Sequence, residues 1–551
     1  MKFVSHMSAS IRREPFLWGI LALAFFLRVV AIGYGLPLIV VADEAPFTLA
    51  ALKMLQLHTL IPSLHLGEFS TILYYPPYVS YLLLAPFSAI IGVEYLLWHG
   101  DPALFQAHLL SDLSPFFIAA RLVSVLFGVV SVYLVYRIAE SLFRSRVAAT
   151  AAAFLLATSL LHEALSMVGR QWVPVSSVFL VVLFILTRGE LPLGRRYVGA
   201  FMAAGVGMGV SFIAALACPL IGLYYLVYDA PPLRRIFRDW LPMVSGALLF
   251  FALTGVAWLL YHGGNSFAGS LSLTEAKSLG GYLGSFPLVA SLVTFSEPVL
   301  VGLALAGLAL SAVWYRRVAI LIASFVVLYI STFYIVFRFS PRFILPLVPL
   351  LAILGGYAVA RLWNSRSRFV ILALLAVPLV LSLRLDFLAL QGDTRTLARE
   401  WVLEHLNAKD KILVYASGTR LPTSAESVEE LRALDLAAVR KTDEAEATLE
   451  KSGVPHALNN LTEINESALM RLPAYARDHA YAYLFFEPRS AVTATTSKIF
   501  AEFAESATIV QKFVGFGTDD AAIADSSFLA PFTELFRTRL LGPDIVIYRL
   551  H

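Results

Sequence analysis

The chain is built from apolar blocks long enough to cross a lipid bilayer, and this leaves few folds open to it. The first block, FLWGILALAFFLRVVAIGYGLPLIVV, fills residues 16–41, and others recur to about residue 388. A run of about 18 or more such residues spans the hydrocarbon core as a helix. Only helices and closed barrels satisfy the backbone there. Charged residues make up 15% of the chain, against about 25% in soluble proteins, and the mean hydropathy is +0.75. The net charge of +4 sits in short basic loops, which is a topology signal rather than a nucleic-acid surface. The single cysteine, Cys218, lies in an apolar stretch, which excludes an intrachain disulfide and a cysteine metal cluster. The first block is too long for a cleavable signal peptide and lacks a small-residue cleavage site, so it reads as an uncleaved span.

The basic loops orient the membrane region. The N-terminus (Lys2, Arg12, Arg13), 137–146, 188–196, 234–238, Arg316-Arg317 and 361–368 carry the arginines and are expected in the cytoplasm. Spans must then come in pairs between them. Between the N-terminus and 137–146 there are three apolar segments, of which 77–93 is the weak one: it is short, begins after Pro-Pro and contains Pro86. It reads as a juxtamembrane or re-entrant segment, tolerated where protein buries it. The expectation is a polytopic α-helical membrane protein with about eleven spans. They fall near 16–37, 116–136, 147–161, 174–187, 197–212, 214–228, 240–261, 296–315, 318–337, 343–360 and 369–388. Residues 1–388 form the transmembrane domain, with a first external loop at 38–115. The N-terminus is cytoplasmic and the chain is multi-pass in an inner or plasma membrane. Residues 389–551 read as a small soluble α/β domain outside the cytoplasm. KILVYA (411–416), YAYLFFE (481–487) and DIVIYRL (544–550) read as strands, and 394–406 and 423–436 as helices.

Ionisable residues at the outer membrane surface are few. Asp43-Glu44 stands where the first span leaves the bilayer, followed by Lys53 and by the Tyr- and Pro-containing YYPPYVSYLLLAPF (74–87), which includes Tyr75. Arg121 begins a span. His162, Glu163 and Arg170 lie in the second external loop, and Arg338 and Arg342 are four apart, on one face if helical. Carboxylates in such a place are expensive. One surrounded by cations suggests a general base facing an anionic substrate, and arginines suit phosphate. A lipid with a phosphate headgroup would place its phosphate at this depth. Each residue also has a plainer reading. Asp-Glu can be a solvated helix end, Arg338 and Arg342 snorkelling anchors, Arg121 structural, His162 a packed histidine, and the Tyr/Pro segment an interfacial aromatic belt. No Walker-type glycine loop supports ATP-driven transport.

The order of elements resembles the GT-C glycosyltransferases, in the branch of the dolichyl-phosphate-mannose protein mannosyltransferases and the lipid A aminoarabinose transferase-like enzymes. ADEAPFTLAALKMLQ (42–56) is similar to that family's Asp-Glu motif and following juxtamembrane helix, and 74–87 to its Pro-Pro segment. Residues 119–159 are similar to its arginine-led span, basic turn and return span, and RFILPLVPLLAILGGYAVARL (342–362) to its late span. TRTLAREWVLEHLNAKDKILVYA (394–416) looks like the start of the external domains attached to such enzymes. The resemblance implies a hexosyl- or pentosyltransferase that uses a polyprenyl-phosphate sugar as donor. The acceptor, whether protein, lipid or glycan, is left open. Asp43 would be the general base and Glu44 would orient it or the acceptor. Arg121, with Arg338 or Arg342 and with Lys53, would meet the donor phosphate. Tyr75, His162, Glu163, Arg170 and Trp172 would line the sugar and acceptor pocket.

One departure bears on metal. Many relatives carry a second acidic residue in the second external loop, where this chain reads SMVGRQWVP (166–174) with Trp172 at that position. Trp cannot bind a hard divalent ion, which counts against a Mg²⁺ or Mn²⁺ site shared by the two loops. Asp43 would be a ligand, with Glu163 or His162 as the substitute second. Alternatively, Arg170 replaces the metal's charge and Trp172 stacks on a sugar. Two other classes compete: a lipid-linked sugar transporter or flippase, and a non-catalytic envelope scaffold. A transporter needs polar groups near mid-bilayer and often shows repeats; no convincing repeat is seen, and the ionisable residues gather on one side.

Overall fold

The computed structural model describes residues 14–41, 44–70, 72–73, 75–229, 233–261, 298–336, 341–407, 409–449, 455–488, 494–505, 507–515 and 532–551. The chain divides into two compact units. One contains residues 1–32, 43–87 and 119–386; the other contains 33–42, 88–118 and 387–551.

The first unit is a helical membrane bundle. Each of the eleven expected apolar segments carries a helix. Among the described residues six helices are long and apolar enough to cross a membrane, or seven if Arg146–Ala157 and Leu160–Ser166, bent by 57°, form one span. Helix Val348–Leu362 lies at the centre, with 83% of its apolar window buried. Gly356 lets it close on Arg146–Ala157, because a methyl there would lie 2.4 Å from the Ala148 carbonyl oxygen. Small residues at such a crossing are how membrane helices pack closely.

The first span and the segment at 77–93 differ in length from what the sequence led us to expect. The first helix, Pro15–Val29, stops well before residue 37. Turns follow it, in which Gly35 takes φ +75°, a conformation open to glycine, and Pro37 follows. The segment expected to be short at 77–93 is a 20-residue helix, Tyr78–Leu97, of mean hydropathy 1.6. Pro76 and Pro77 precede it, where a missing N–H costs nothing, and Pro86 sits inside it. It is long and apolar enough to cross a membrane by length and composition, while its residues from 88 onward group with the second unit.

The second unit holds a five-stranded sheet with strand order β2-β1-β3-β5-β4. Its strands are β1 (Lys411–Tyr415), β2 (His456–Leu458), β3 (Tyr483–Phe486), β4 (Ala507–Phe513) and β5 (Ile545–Leu550). β1 runs parallel to β2 and β3, while β3–β5 and β4–β5 are antiparallel. Alternation along β1 and β3 feeds two cores. Leu413, Tyr415, Leu484 and Phe486 pack on one face; Ile412, Val414, Phe485 and Ile547 pack on the other, with Ala398 and Val402 of helix Thr394–His405. Sheets covered on both faces read as continuous apolar runs, which is why β1, β3 and β5 are legible. β2 is three residues long, and β4 is an edge strand whose residues are exposed or half-buried.

Candidate active site

Helix Ala45–Gln56 begins at Glu44. Pro46 opens its first turn, and Phe47, Ala50, Ala51 and Met54 form the buried stripe that seats it. Glu44 is itself fully buried. Its carboxylate accepts from Arg121 Nε and Nη2, each at 2.8 Å, and from the Gly169 amide at 2.8 Å. Arg121, 1% exposed, also donates through Nη1 to the Ile32 carbonyl at 2.7 Å. A forked pair of this kind is geometrically specific, and inside protein it holds only when both members are satisfied. The carboxylate at the helix N-terminus also meets the favourable end of the helix dipole. Gly169 is required by proximity: a methyl there would lie 2.8 Å from Ala120 Cβ and 3.3 Å from Glu44 Oε1. The guanidinium expected to meet a phosphate is thus turned to Glu44. Glu44 in turn ties the first loop to the second.

The other expected residues take definite places. Asp43 and Arg338 lie outside the described residues. Lys53 pairs with Glu68 at 2.5 Å. Tyr75 stacks on Phe47, ring centroids 5.2 Å apart. Arg170 is buried beside Gly169. Trp172 opens helix Trp172–Leu186 and is 3% exposed; its ring lies 5.1 Å from that of Phe343. The Arg342 guanidinium covers the same Phe343 ring at 5.5 Å. The short 3₁₀ segment Pro341–Leu347 is held by Tyr329, whose hydroxyl donates to the Phe343 carbonyl at 2.8 Å. The segments that begin at Glu44, Arg121, Gly169 and Arg342 are therefore linked by direct contacts within one unit.

His162 and Glu163 face another partner. Helix Arg146–Ala157 breaks at Thr158, and Ser159 caps the next helix by accepting from the His162 amide. The break frees carbonyls at its end. Arg28 satisfies two of them, donating to Ala157 at 2.9 Å and Leu156 at 3.2 Å. Ser382 donates to the Thr158 carbonyl at 3.0 Å. Arg28 also donates to Ser166 Oγ and to His162 Nδ1 at 3.0 Å, so the His162 ring carries its proton on Nε2. Glu163 and Asp386 are the acidic residues near enough to act on Arg28. Sequence reasoning passed over Arg28 and Asp386, although a lone arginine in AFFLRVV and an aspartate in SLRLDFL are charges inside apolar runs.

Of the residues expected to hold a divalent ion, Asp43 lies outside the described ones. His162 Nδ1 is taken by Arg28, Trp172 is covered by Phe343, and among the described residues no three His, Cys, Asp or Glu side chains are grouped to hold a metal.

Residues 108–259 match the family model described as dolichyl-phosphate-mannose-protein mannosyltransferase. That stretch contains Arg121, His162, Glu163, Gly169, Arg170 and Trp172. No curated protein matches the chain. Among solved structures the chain is similar to ArnT from Cupriavidus metallidurans bound to undecaprenyl phosphate, at 12% identity, covering 97% of this chain and 98% of that one, with TM-score 0.49. It is similar to the archaeal oligosaccharyltransferase AglB from Archaeoglobus fulgidus in complex with an inhibitory peptide and a dolichol-phosphate, at 13% identity, covering 92% and 73%, with TM-score 0.48. A third likeness is to the arabinofuranosyltransferase AftD from Mycobacteria, at 16% identity, covering 97% and 41%, with TM-score 0.41. At these scores the structural likenesses carry no weight for function. The motifs and the family match agree on a resemblance to the protein mannosyltransferase branch of the GT-C enzymes.

Proposed function

We propose that this chain is an integral membrane glycosyltransferase that moves a sugar from a polyprenyl-phosphate donor to an acceptor on the extracytoplasmic face. The observation that carries the reading is the family match over residues 108–259. Arg121 and Gly169, inside that match, fix Glu44, the neighbour of Asp43. In the proposed topology eleven helices cross the bilayer, the basic loops face the cytoplasm, and the α/β unit lies outside.

Asp43 is the general base. It takes the proton of the acceptor nucleophile as that atom bonds to the anomeric carbon. The bond from that carbon to the donor phosphate oxygen breaks, and the polyprenyl phosphate leaves with the electron pair. Attack from the face opposite the leaving group inverts the anomeric centre. Charge grows on the departing phosphate, and Arg342, with Arg338, meets it. Preorganised cations act most strongly where water is excluded. Glu44 and Arg121 act through position, because their polar atoms are engaged with each other. No step passes through a metal.

The test is transfer by purified protein from a panel of radiolabelled undecaprenyl-phosphate hexoses and pentoses, with and without chelator. The expected result is turnover with one donor, inverted product and activity that survives chelation. A retained anomeric configuration, or strict dependence on added Mg²⁺ or Mn²⁺, would contradict the mechanism.

A further inference from the structure

Two side chains on one face of helix Trp172–Leu186 carry buried polar atoms that nothing in the protein meets. Trp172 opens the helix and Ser176 lies four residues on, so the two share a face. Trp172 is 3% exposed and Ser176 is fully buried. Among the described residues neither Trp172 Nε1 nor Ser176 Oγ has a hydrogen-bond partner. Ser177, the next residue, shows the ordinary case: its hydroxyl meets Ser131 Oγ at 2.8 Å and donates to the Val173 carbonyl at 3.0 Å. Buried polar side chains are nearly always paired, and a buried indole N–H usually finds an acceptor. Two exceptions one turn apart mark a place that an outside partner completes.

The surroundings, all within the first unit, favour an anion. The Trp172 ring lies 5.1 Å from that of Phe343, and Phe179, on the same helix face, lies 5.9 Å from Phe325 and 6.2 Å from Tyr329. The Arg342 guanidinium stands over the same Phe343 ring at 5.5 Å. The helix start adds its dipole. A bond from the Val175 amide to the Gln171 carbonyl at 2.9 Å begins the ladder, no side chain caps the end, and Pro174 has no N–H. The Trp172 and Val173 amides are thus the orphan N–H groups of this end, and such an end attracts anions. An indole N–H can only donate, and a serine hydroxyl can donate. Together with the Arg342 charge, the set is complementary to the oxygens of an anion.

We infer that Trp172 Nε1 and the Ser176 hydroxyl complete a phosphate subsite, donating to the oxygens of the polyprenyl phosphate beside Arg342. This rests on the proposed polyprenyl-phosphate substrate and deepens it. Trp172 serves through its N–H rather than by stacking on a sugar, since Phe343 lies against its ring. Both polar atoms are enclosed, so binding moves Phe343 away from the indole. Left unpaired, the two groups lower stability. A phosphate oxygen removes that penalty and accepts charge-assisted bonds, which are stronger than neutral ones. The subsite therefore favours a phosphate lipid over the same lipid without its phosphate.

Full-length Trp172→Phe and Ser176→Ala proteins test this against wild type, with Ser177→Ala as control. The probes are undecaprenyl phosphate and undecaprenol, which has the same chain and no phosphate. Wild type is expected to bind the phosphate lipid more tightly. Trp172→Phe keeps a ring and loses the N–H; Ser176→Ala loses the hydroxyl. Each should raise the dissociation constant for undecaprenyl phosphate about 10-fold and leave that for undecaprenol unchanged. Ser176→Ala should also leave the thermal midpoint of the lipid-free protein no lower, because it removes an unpaired buried group; a merely structural role would lower the midpoint and weaken both lipids alike. Ser177→Ala should not alter the preference between the lipids. If wild type prefers undecaprenyl phosphate and both variants bind it as wild type does, or Ser177→Ala weakens it equally, the subsite is overturned and the polyprenyl-phosphate reading stands. If wild type binds the two lipids alike, that reading falls and takes the subsite with it.

Discussion

At the scale of single residues, the decisive fact is that Glu44 and Arg121 are matched with each other. Both are buried, and Glu44 and Arg121 make short contacts to each other, to the Gly169 amide and to the Ile32 carbonyl. Losing one partner strands the other as a buried charge, at about 3–5 kcal/mol, whereas losing both is milder. Glu44→Ala should lower the unfolding free energy of the purified protein by about that amount. Glu44→Ala/Arg121→Ala should recover part of the loss. A neutral single variant in denaturant unfolding would contradict the pairing. That Glu44 stands apart from its apolar surroundings was legible, because acidic residues at a span's end are rare. That Glu44 serves Arg121 was not, because the contact joins residues 77 apart in sequence, and the Gly169 amide carries no side-chain signature at all.

At the scale of elements, polar groups hold the pieces where packing alone leaves them loose. The break at Thr158 is stabilised by Arg28 and Ser382 from two other helices. In the sheet unit Glu430 joins its own helix, Ala425–Leu434, to helix Glu466–Asp478, to Tyr481 before β3 and to β2. Its carboxylate accepts from Tyr475 and Tyr481, each at 2.7 Å, and lies 2.6 Å from His456 Nε2 on β2. Burial pushes the Glu430 carboxyl up, but hydrogen bonds from Tyr481, Tyr475 and His456 outweigh it and hold the group below its ordinary 4.5. A depressed folded value means the unfolded chain binds the proton more readily. The stabilisation is therefore present above about pH 4.5 and is lost as pH falls through the lower folded value. Glu430→Gln should flatten the stability profile across that acid range, measured by thermal unfolding between pH 3 and 7. An unchanged acid slope would contradict this. The helices expected over 394–406 and 423–436 are found at 394–405 and 425–434, capped by Asp393 and Ser424. The strand ATIVQKF was passed over because an exposed edge strand lacks the buried alternation that marks the others.

At the scale of the whole molecule, the apolar blocks announced membrane-length helices and the tail a sheet with helices, and the described residues contain six helices long and apolar enough to cross a membrane and a five-stranded sheet. The sorting of the first loop was not legible. Residues 33–42 and 88–118 group with the sheet unit rather than with the spans that flank them, a partition set by contacts such as Tyr34–Asp393 across 359 residues of sequence. Hydropathy could not see this, because Gly33–Val41 is as apolar as the helix before it. The account depends most on one carboxylate. Wild-type and Asp43→Asn proteins, equal in thermal midpoint, should be compared for turnover of the undecaprenyl-phosphate sugar that the wild type uses. The account predicts a loss of at least about 100-fold in kcat; a folded Asp43→Asn protein that turns over within a few-fold of wild type would contradict it.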